Sequence, residues 1–241
     1  MHSDTDNASS IDRSSAVTSH PRLAQLLRNV FTGTSSSSLA GRARARRWDL
    51  FLKSFPDLER LKVVDLGGTP QFWSGSPIRP KVLTVVNLDA SSTPAPTWIE
   101  VVTGDACKAA DLGLQNDYDL VFSNSTIEHV GGHDRCLAFA ETVKTLGSRH
   151  WIQTPYRYFP IEPHFVCPGL QFLPIALRQH VASRWPLSYT KSKGGNLDDP
   201  LSAVLWTELL SRTHMKYYFP QSEIVSERFA GLTKSLIAVR R

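Results

Sequence analysis

No apolar run in this 241-residue chain approaches the roughly 20 residues that a membrane-spanning helix requires, so no span is expected. The opening stretch MHSDTDNASSIDRSSAVTSH lacks the basic-then-apolar order of a secretory leader, nothing in it directs export, and the cytoplasm is the default expectation. Cysteine is scarce. Cys107, Cys136 and Cys167 are an odd number at wide spacing, which fits neither a disulfide framework nor a zinc knuckle and predicts reduced, packed thiols. Also missing is any nucleic-acid-binding motif to accompany the net charge of +5, so no nucleic-acid partner is expected. The densest basic stretch, GRARARR at 41–47, stands directly before Trp48, Leu50, Phe51 and Leu52. Arg42, Arg44, Arg46 and Arg47 therefore read as the solvated face of an amphipathic helix.

The chain is long enough for one sizeable core, and its hydrophobic content of 41% and charged content of 20% are those of a folded soluble protein. Residues 1–20 are polar and predicted to be disordered. Residues 21–60 supply N-terminal helices: PRLAQLLRNVF, a joint TGTSSSS at 32–38, then LAGRARARRWDLFLKSF ending near Pro56. From 61 to 241 strand-length apolar runs alternate with turns and helical stretches, the pattern of an α/β domain with a doubly wound parallel sheet. LKVVDL, KVLTVVNL, WIEVV, YDLVFS and HWIQT are the candidate strands. In GHDRCLAFAETVKTLG, Leu137, Ala140, Val143, Thr145 and Leu146 predict a helix packed on that sheet. The tail EIVSERFAGLTKSLIAVRR has two β-rich stretches broken at Gly231, as expected of an antiparallel edge.

In open α/β sheets ligands bind beyond the carboxyl ends of the strands. In VVDLGGTPQFW, at 63–73, Gly67 and Gly68 remove Cβ atoms where the chain must turn and a ligand can approach the backbone, with Asp65 at the mouth. The full G-x-G-x-x-G dinucleotide fingerprint is absent. The second strand ends at NLDAS, placing Asn87 and Asp89 where a polar side chain grips ribose hydroxyls. The third ends at TGDAC, offering Asp105 and the Ala106 backbone to an adenine edge. The fourth ends at SNSTIEHV, beginning with Ser123 and Asn124.

Together VVDLGG, GDA and YDLVFSNSTIEHV resemble the motif series of the class I S-adenosylmethionine-dependent methyltransferases over about residues 60–155. The resemblance implies a Rossmann-like sheet of seven strands with an antiparallel C-terminal edge and S-adenosylmethionine as cofactor. It places Asp65 near the methionine amino group and Gly67 behind the cofactor, with Gly68, Ser123 and Asn124 beside it and Asp105 at the adenine amine. Two positions depart from the family pattern: Thr69 stands where a further glycine is usual, and Asn87 where an acid is usual. Ribose recognition then falls either to the Asn87 amide or to Asp89.

QTPYRYFPIEPHFVCPGLQFLP, at 153–174, is stiffened by prolines into an extended loop expected to form the acceptor pocket. It resembles the TP-aromatic-x-x-x-P-I-E-P-H stretch of small-molecule methyltransferases, some acting on sugars, which implies a small hydroxylated acceptor such as a sugar or secondary metabolite. Methyl transfer is an in-line displacement in which the protein positions the acceptor and removes its proton. His164 is the first candidate base, oriented by Glu162, unless it only braces the loop. His129 is a second candidate, or shapes the site. Tyr156, Arg157, Tyr158 and His133 are candidate acceptor contacts, His133 alternatively capping the helix it opens. Asp111, Asp117, Asp119, His129, His133 and Asp134 match no zinc or calcium spacing, and no metal is expected. Beyond the loop, TKSKGGNLDDP at 190–200 is a candidate lid or a plain connector, and LSAVLWTELLSRTHM predicts one helix. O-methylation of a small acceptor is the expected function; the alternatives are N- or C-methylation and a non-catalytic nucleoside-binding module. The sequence carries no signal of oligomeric state.

Overall fold

Strands form where β-branched residues are dense and turn residues bound them. The structure, a computed structural model, describes residues 39–89, 95–185 and 200–241. The disorder expected at 1–20, the helix at 21–31, the joint at 32–38 and the candidate lid up to residue 199 lie outside the described residues. Five strands follow in chain order: β1 (Lys62–Leu66), β2 (Val82–Asn87), β3 (Ile99–Thr103), β4 (Tyr118–Asn124) and β5 (Gly147–Pro155). They lie side by side in the order β3-β2-β1-β4-β5, all parallel. A small antiparallel pair, β6 (Ile161–Glu162) and β7 (Cys167–Pro168), stands apart from the main sheet. The tail returns as β8 (Glu223–Phe229) and β9 (Leu232–Arg240), with β9 antiparallel to β5 and β8 at the edge, completing the expected seven strands.

Alternation along β1 assigns its side chains to two layers. Val64 and Leu66 face one core with α3 (His133–Leu146), whose Cys136, Phe139, Ala140, Val143 and Leu146 recur at helical spacing. Val63 faces the other core, where Leu120, Phe122 and Trp151 meet Phe51 and Phe55. Phe51 belongs to α1 (Leu39–Ser54), while α2 (Pro70–Ser74) adds Trp73 to the same layer. Phe51, Trp73, Phe122 and Trp151 form an aromatic cluster of mostly edge-on rings, with Phe51 5.0 Å from Phe122 and 5.3 Å from Trp151.

Two sequence expectations need correction. Arg42 and Arg46 are exposed, but Arg47 is drawn inward: its guanidinium donates to Glu227 at 2.8 Å and to Asn124 Oδ1 at 2.8 Å, tying α1 to β8 and β4. A carboxylate on the inner side of β8 needs a counter-charge, and Arg47 is the one α1 can deliver. The helix expected over 201–215 is broken into α5 (Pro200–Leu205) and α6 (Arg212–Tyr218), α4 (Ile175–Arg184) preceding both. Ser211 supplies a new start, accepting from His214 N at 3.2 Å while its own N–H points to His214 Nδ1. Between the halves, Glu208 N donates to Glu128 O at 2.8 Å and Leu210 bridges to Tyr156.

Arg47→Leu strands Glu227 beside β9 without its cation. We expect about 2 kcal/mol of lost stability, read as a lower urea midpoint at an unchanged m-value.

Candidate active site

The sheet's strand order reverses at β1, which has β2 on one side and β4 on the other, and the carboxyl ends of these strands open there into a cavity of about 530 Å³. Gly67, Asn87, Asp105, Ala106, Thr126 and His129 stand on its wall. Gly67 has a left-handed backbone (φ 82°), and a Cβ there would overlap the Thr126 side chain. Thr126 cannot retreat easily, because its hydroxyl donates to Leu66 O at 3.1 Å. A Cβ at Gly68 would overlap the Asp65 carboxylate. The glycine pair thus keeps one face of the turn open to the cavity and lets Asp65 lie beneath the other.

Asp65 is 1% exposed and does not line the cavity. Its Oδ2 accepts from Trp73 Nε1 at 2.7 Å, while Oδ1 is buried without a partner. Burial outweighs the Trp73 bond and pushes its pKa up to about 7. Asn87 is on the wall, yet its amide already clamps neighbouring loops: Nδ2 donates to Gly68 O at 2.8 Å and Oδ1 accepts from Asp89 N at 3.3 Å. Asp89 itself is not on the wall. Asp105 is, and holds Arg135 through both oxygens at 2.8 Å; partial burial opposes its charge, but the Arg135 bond prevails and its pKa falls below the ordinary carboxylate value. Ser123 is buried with its hydroxyl on Leu66 O, and Asn124 is taken by Arg47, so neither faces the cavity. Arg135, Thr126 and Trp206 are wall residues that motif reading missed; Arg135 lies in the first turn of α3 and has no strand-end signature.

The β6–β7 pair makes the proline-stiffened loop a hairpin. Glu162 registers with Cys167, and Val166 takes a left-handed backbone (φ 50°) to close the tip, a costly conformation for a β-branched residue. The tip carries His164. Glu162 Oε1 accepts from His164 Nδ1 at 2.7 Å, and Oε2 accepts from Phe165 N at 2.7 Å. With Nδ1–H committed to the carboxylate, Nε2 presents its lone pair. Burial disfavours the imidazolium, but the Glu162 bond and the charges of Glu162 and Glu128 outweigh it, and the His164 pKa stands above its ordinary value.

His129 meets the His164 ring edge-on at 4.7 Å. Its ring opens to the cavity on one side, yet the surrounding protein disfavours charge, and His164 adds repulsion, lowering its pKa to about 4. Glu128 lies behind the pair, 1% exposed; Thr154 Oγ1 donates to Oε2 at 3.0 Å, and Oε1 is buried without a partner. Burial raises its pKa. Glu128, His129 and His164 each offer a donor atom within 4.8 Å of the others, a convergence that the spacing of His129 and His133 could not reveal because His164 arrives from another loop.

Beyond the histidines lies a second cavity of about 240 Å³, with Arg157, Glu162, Gln171 and Arg178 on its wall. Leu205 and Glu162 line this cavity and Trp206 and His129 the first, while His164, bonded to Glu162 and 4.7 Å from the His129 ring, lines neither. Of the expected acceptor contacts only Arg157 lines either cavity. Tyr156 packs against the core, and Tyr158 is exposed and stacks on Phe172. His133 bonds the Tyr218 hydroxyl at 2.9 Å.

No family model and no curated protein matches the chain. Solved structures do. DhpI in complex with SAH matches 90% of this chain and 94% of its own at TM-score 0.53 and 12% identity. The DhpI–SAM–HEP complex matches 93% and 99% at TM-score 0.51 and 14% identity. An S-adenosylmethionine-dependent methyltransferase from Mesorhizobium loti matches 85% and 100% at TM-score 0.50 and 16% identity. The chain has the class I methyltransferase fold. At such identity the likeness is one of fold, and the chemistry has to be argued from the residues.

Asp65 also generates a pH test. Its folded pKa of about 7 exceeds the unfolded value of about 3.9, so its stabilising contribution is full below the unfolded pKa and is lost as pH rises through the folded one. Asp65→Asn keeps an acceptor for Trp73 and removes the titration. Melting curves from pH 4 to 8 should show the variant gaining on the natural protein as pH rises; parallel curves would refute the buried, uncharged carboxyl.

Proposed function

We propose that the chain is an S-adenosylmethionine-dependent methyltransferase acting on a hydroxyl of a small acceptor such as a sugar or secondary metabolite. The observation that carries this reading is a nucleoside-sized cavity at the sheet's switch point whose wall residue His129 lies 4.7 Å, ring to ring, from His164, which is held by Glu162 on the wall of a second cavity. When bound, S-adenosylmethionine supplies an electrophilic methyl group, and the acceptor oxygen must lie opposite the leaving sulfur and lose its proton. Gly67, bare of Cβ, fits such a ligand, with Asn87 and the Asp105–Arg135 pair at its nucleoside end and Ser125 and Thr126 at the other. Asp65, beneath the turn, is assigned to holding the turn.

His164 takes the acceptor proton at Nε2. Glu162 fixes the ring through Nδ1 and stabilises the imidazolium that forms. His129 stays neutral and shapes the passage between the cavities. Glu128 adds negative potential behind His164 without touching the acceptor.

Calorimetry on the full chain with S-adenosylhomocysteine tests the first half. We expect binding, and Gly67→Ala should weaken it at least about tenfold, because the added methyl needs room that Thr126 occupies. No binding by the natural protein would overturn the reading; binding without turnover on a broad acceptor panel would leave a nucleoside-binding module.

The second half is a pH profile. A base works deprotonated, so kcat should fall on the acid side of the raised His164 pKa, above the ordinary 6.5 or so. Glu162→Gln removes the charge that raises it, and the acid limb should move to lower pH. The converging donors of Glu128, His129 and His164, with the orphaned Glu128 oxygen, favour a second reading in which a divalent ion activates the acceptor. Chelation separates the two: the proton-transfer reading expects full activity after dialysis against EDTA, and loss restored by zinc or manganese would transfer the role to a metal.

A further inference from the structure

Arg157 and Arg178 stand on the wall of the second cavity with Glu162 and Glu208, and neither guanidinium has a carboxylate within ion-pair distance among the described residues. Arg178 donates from Nε to Leu173 O at 2.7 Å and from Nη2 to Gln171 O at 2.8 Å, so neutral carbonyls fix it in place. The Arg157 side chain makes no hydrogen bond among the described residues, and neither arginine forms an ion pair there. Partial burial and the Arg157 charge outweigh the opposing Glu162 charge and hold Arg178 below its ordinary pKa.

The acids on the same wall form no ion pair with either guanidinium among the described residues, and Glu162 offsets Arg178 only in part. Glu162 has both oxygens engaged, by His164 and by Phe165 N. Glu208 is tied by its backbone to Glu128 and lies within electrostatic reach of Cys136 and Tyr218, in the α3–α6 layer. Holding two like charges together in a partly desolvated cavity is unfavourable unless a ligand completes the set. Guanidinium groups favour flat or tetrahedral oxyanions, which they grip through paired N–H donors. Phe165, Leu170 and Leu205 give the remaining wall an apolar surface.

We propose that this cavity is the acceptor subsite and that it selects a hydroxylated acceptor bearing an oxyanion, a carboxylate or a phosphoryl group, which Arg157 and Arg178 bind while the hydroxyl faces His164. The inference rests on the methyl-transfer reading and narrows its substrate class. An uncharged sugar leaves both arginines unpaired and is a poor acceptor; a phosphorylated sugar or a hydroxy acid pairs them.

The test uses the full chain saturated with S-adenosylhomocysteine, with benzoate and inorganic phosphate as separate calorimetric probes. At least one probe should bind, and Arg157→Gln and Arg178→Gln should each weaken it about tenfold or more while S-adenosylhomocysteine affinity stays unchanged. Which probe binds separates carboxylate from phosphoryl recognition. Turnover should follow the same preference, with 4-hydroxybenzoate above its methyl ester or glucose 6-phosphate above glucose. The proposal fails if neither probe binds, or if binding is indifferent to both substitutions. Arg157→Gln alone suffices should Arg178→Gln misfold, since the Arg157 side chain makes no hydrogen bond among the described residues. Failure of the methyl-transfer reading has a different signature, absence of S-adenosylhomocysteine binding by the natural protein.

Discussion

Burying an ionised carboxylate is costly unless something neutralises it. The carboxyl edge of this sheet accommodates four, and the compensation differs at each. Asp65 shares a single indole donor and shifts its pKa toward neutrality. Glu227 receives Arg47 across the top of the sheet. Glu162 receives a histidine and a backbone amide. Glu128 receives the Thr154 hydroxyl on one oxygen and the favourable charges of His164 and Arg47. The electrostatic character of the site follows from where these carboxylates stand: the Glu162 bond and charge, with a smaller part from Glu128, make His164 easier to protonate, while burial and the neighbouring His164 make His129 harder.

The same economy of position explains why a broken helix matters. Had residues 201–215 continued as one helix, Glu208 could not have reached Glu128 O, and Trp206 would not stand over Gly131 at the first cavity. The break between α5 and α6 therefore builds the partition between the two cavities. Its cause is local, since Ser211 and His214 satisfy one another and start the second segment afresh.

Strands were legible because parallel strands, covered on both faces, read as continuous apolar runs, and β1 to β5 appeared within a few residues of their observed limits. The tail pair was legible from Gly231, whose left-handed backbone joins β8 to β9. The Glu162–His164 bond was legible because two residues of separation on a hairpin tip keep it local. What escaped were relations between distant segments. Arg47 looked like its solvated neighbours because helical periodicity cannot reveal a carboxylate that arrives 180 residues later. Asp65 looked like a residue at the mouth of a site, since pattern alone does not say that Trp73 folds back to cover it. Arg178 carried no motif, and its meaning depends on Arg157 lying across the cavity.

One topological detail bears on how the molecule comes to exist. The last strand in the chain is not the outermost: β9 sits between β5 and β8, with Leu236, Ile237, Ala238 and Val239 almost wholly enclosed. A polypeptide emerging from the ribosome would carry five aligned strands and an unfilled slot until those residues left the exit tunnel. The sheet is thus completed only after residues 232–240 have been made, and losing them would remove the middle of the structure instead of trimming its margin.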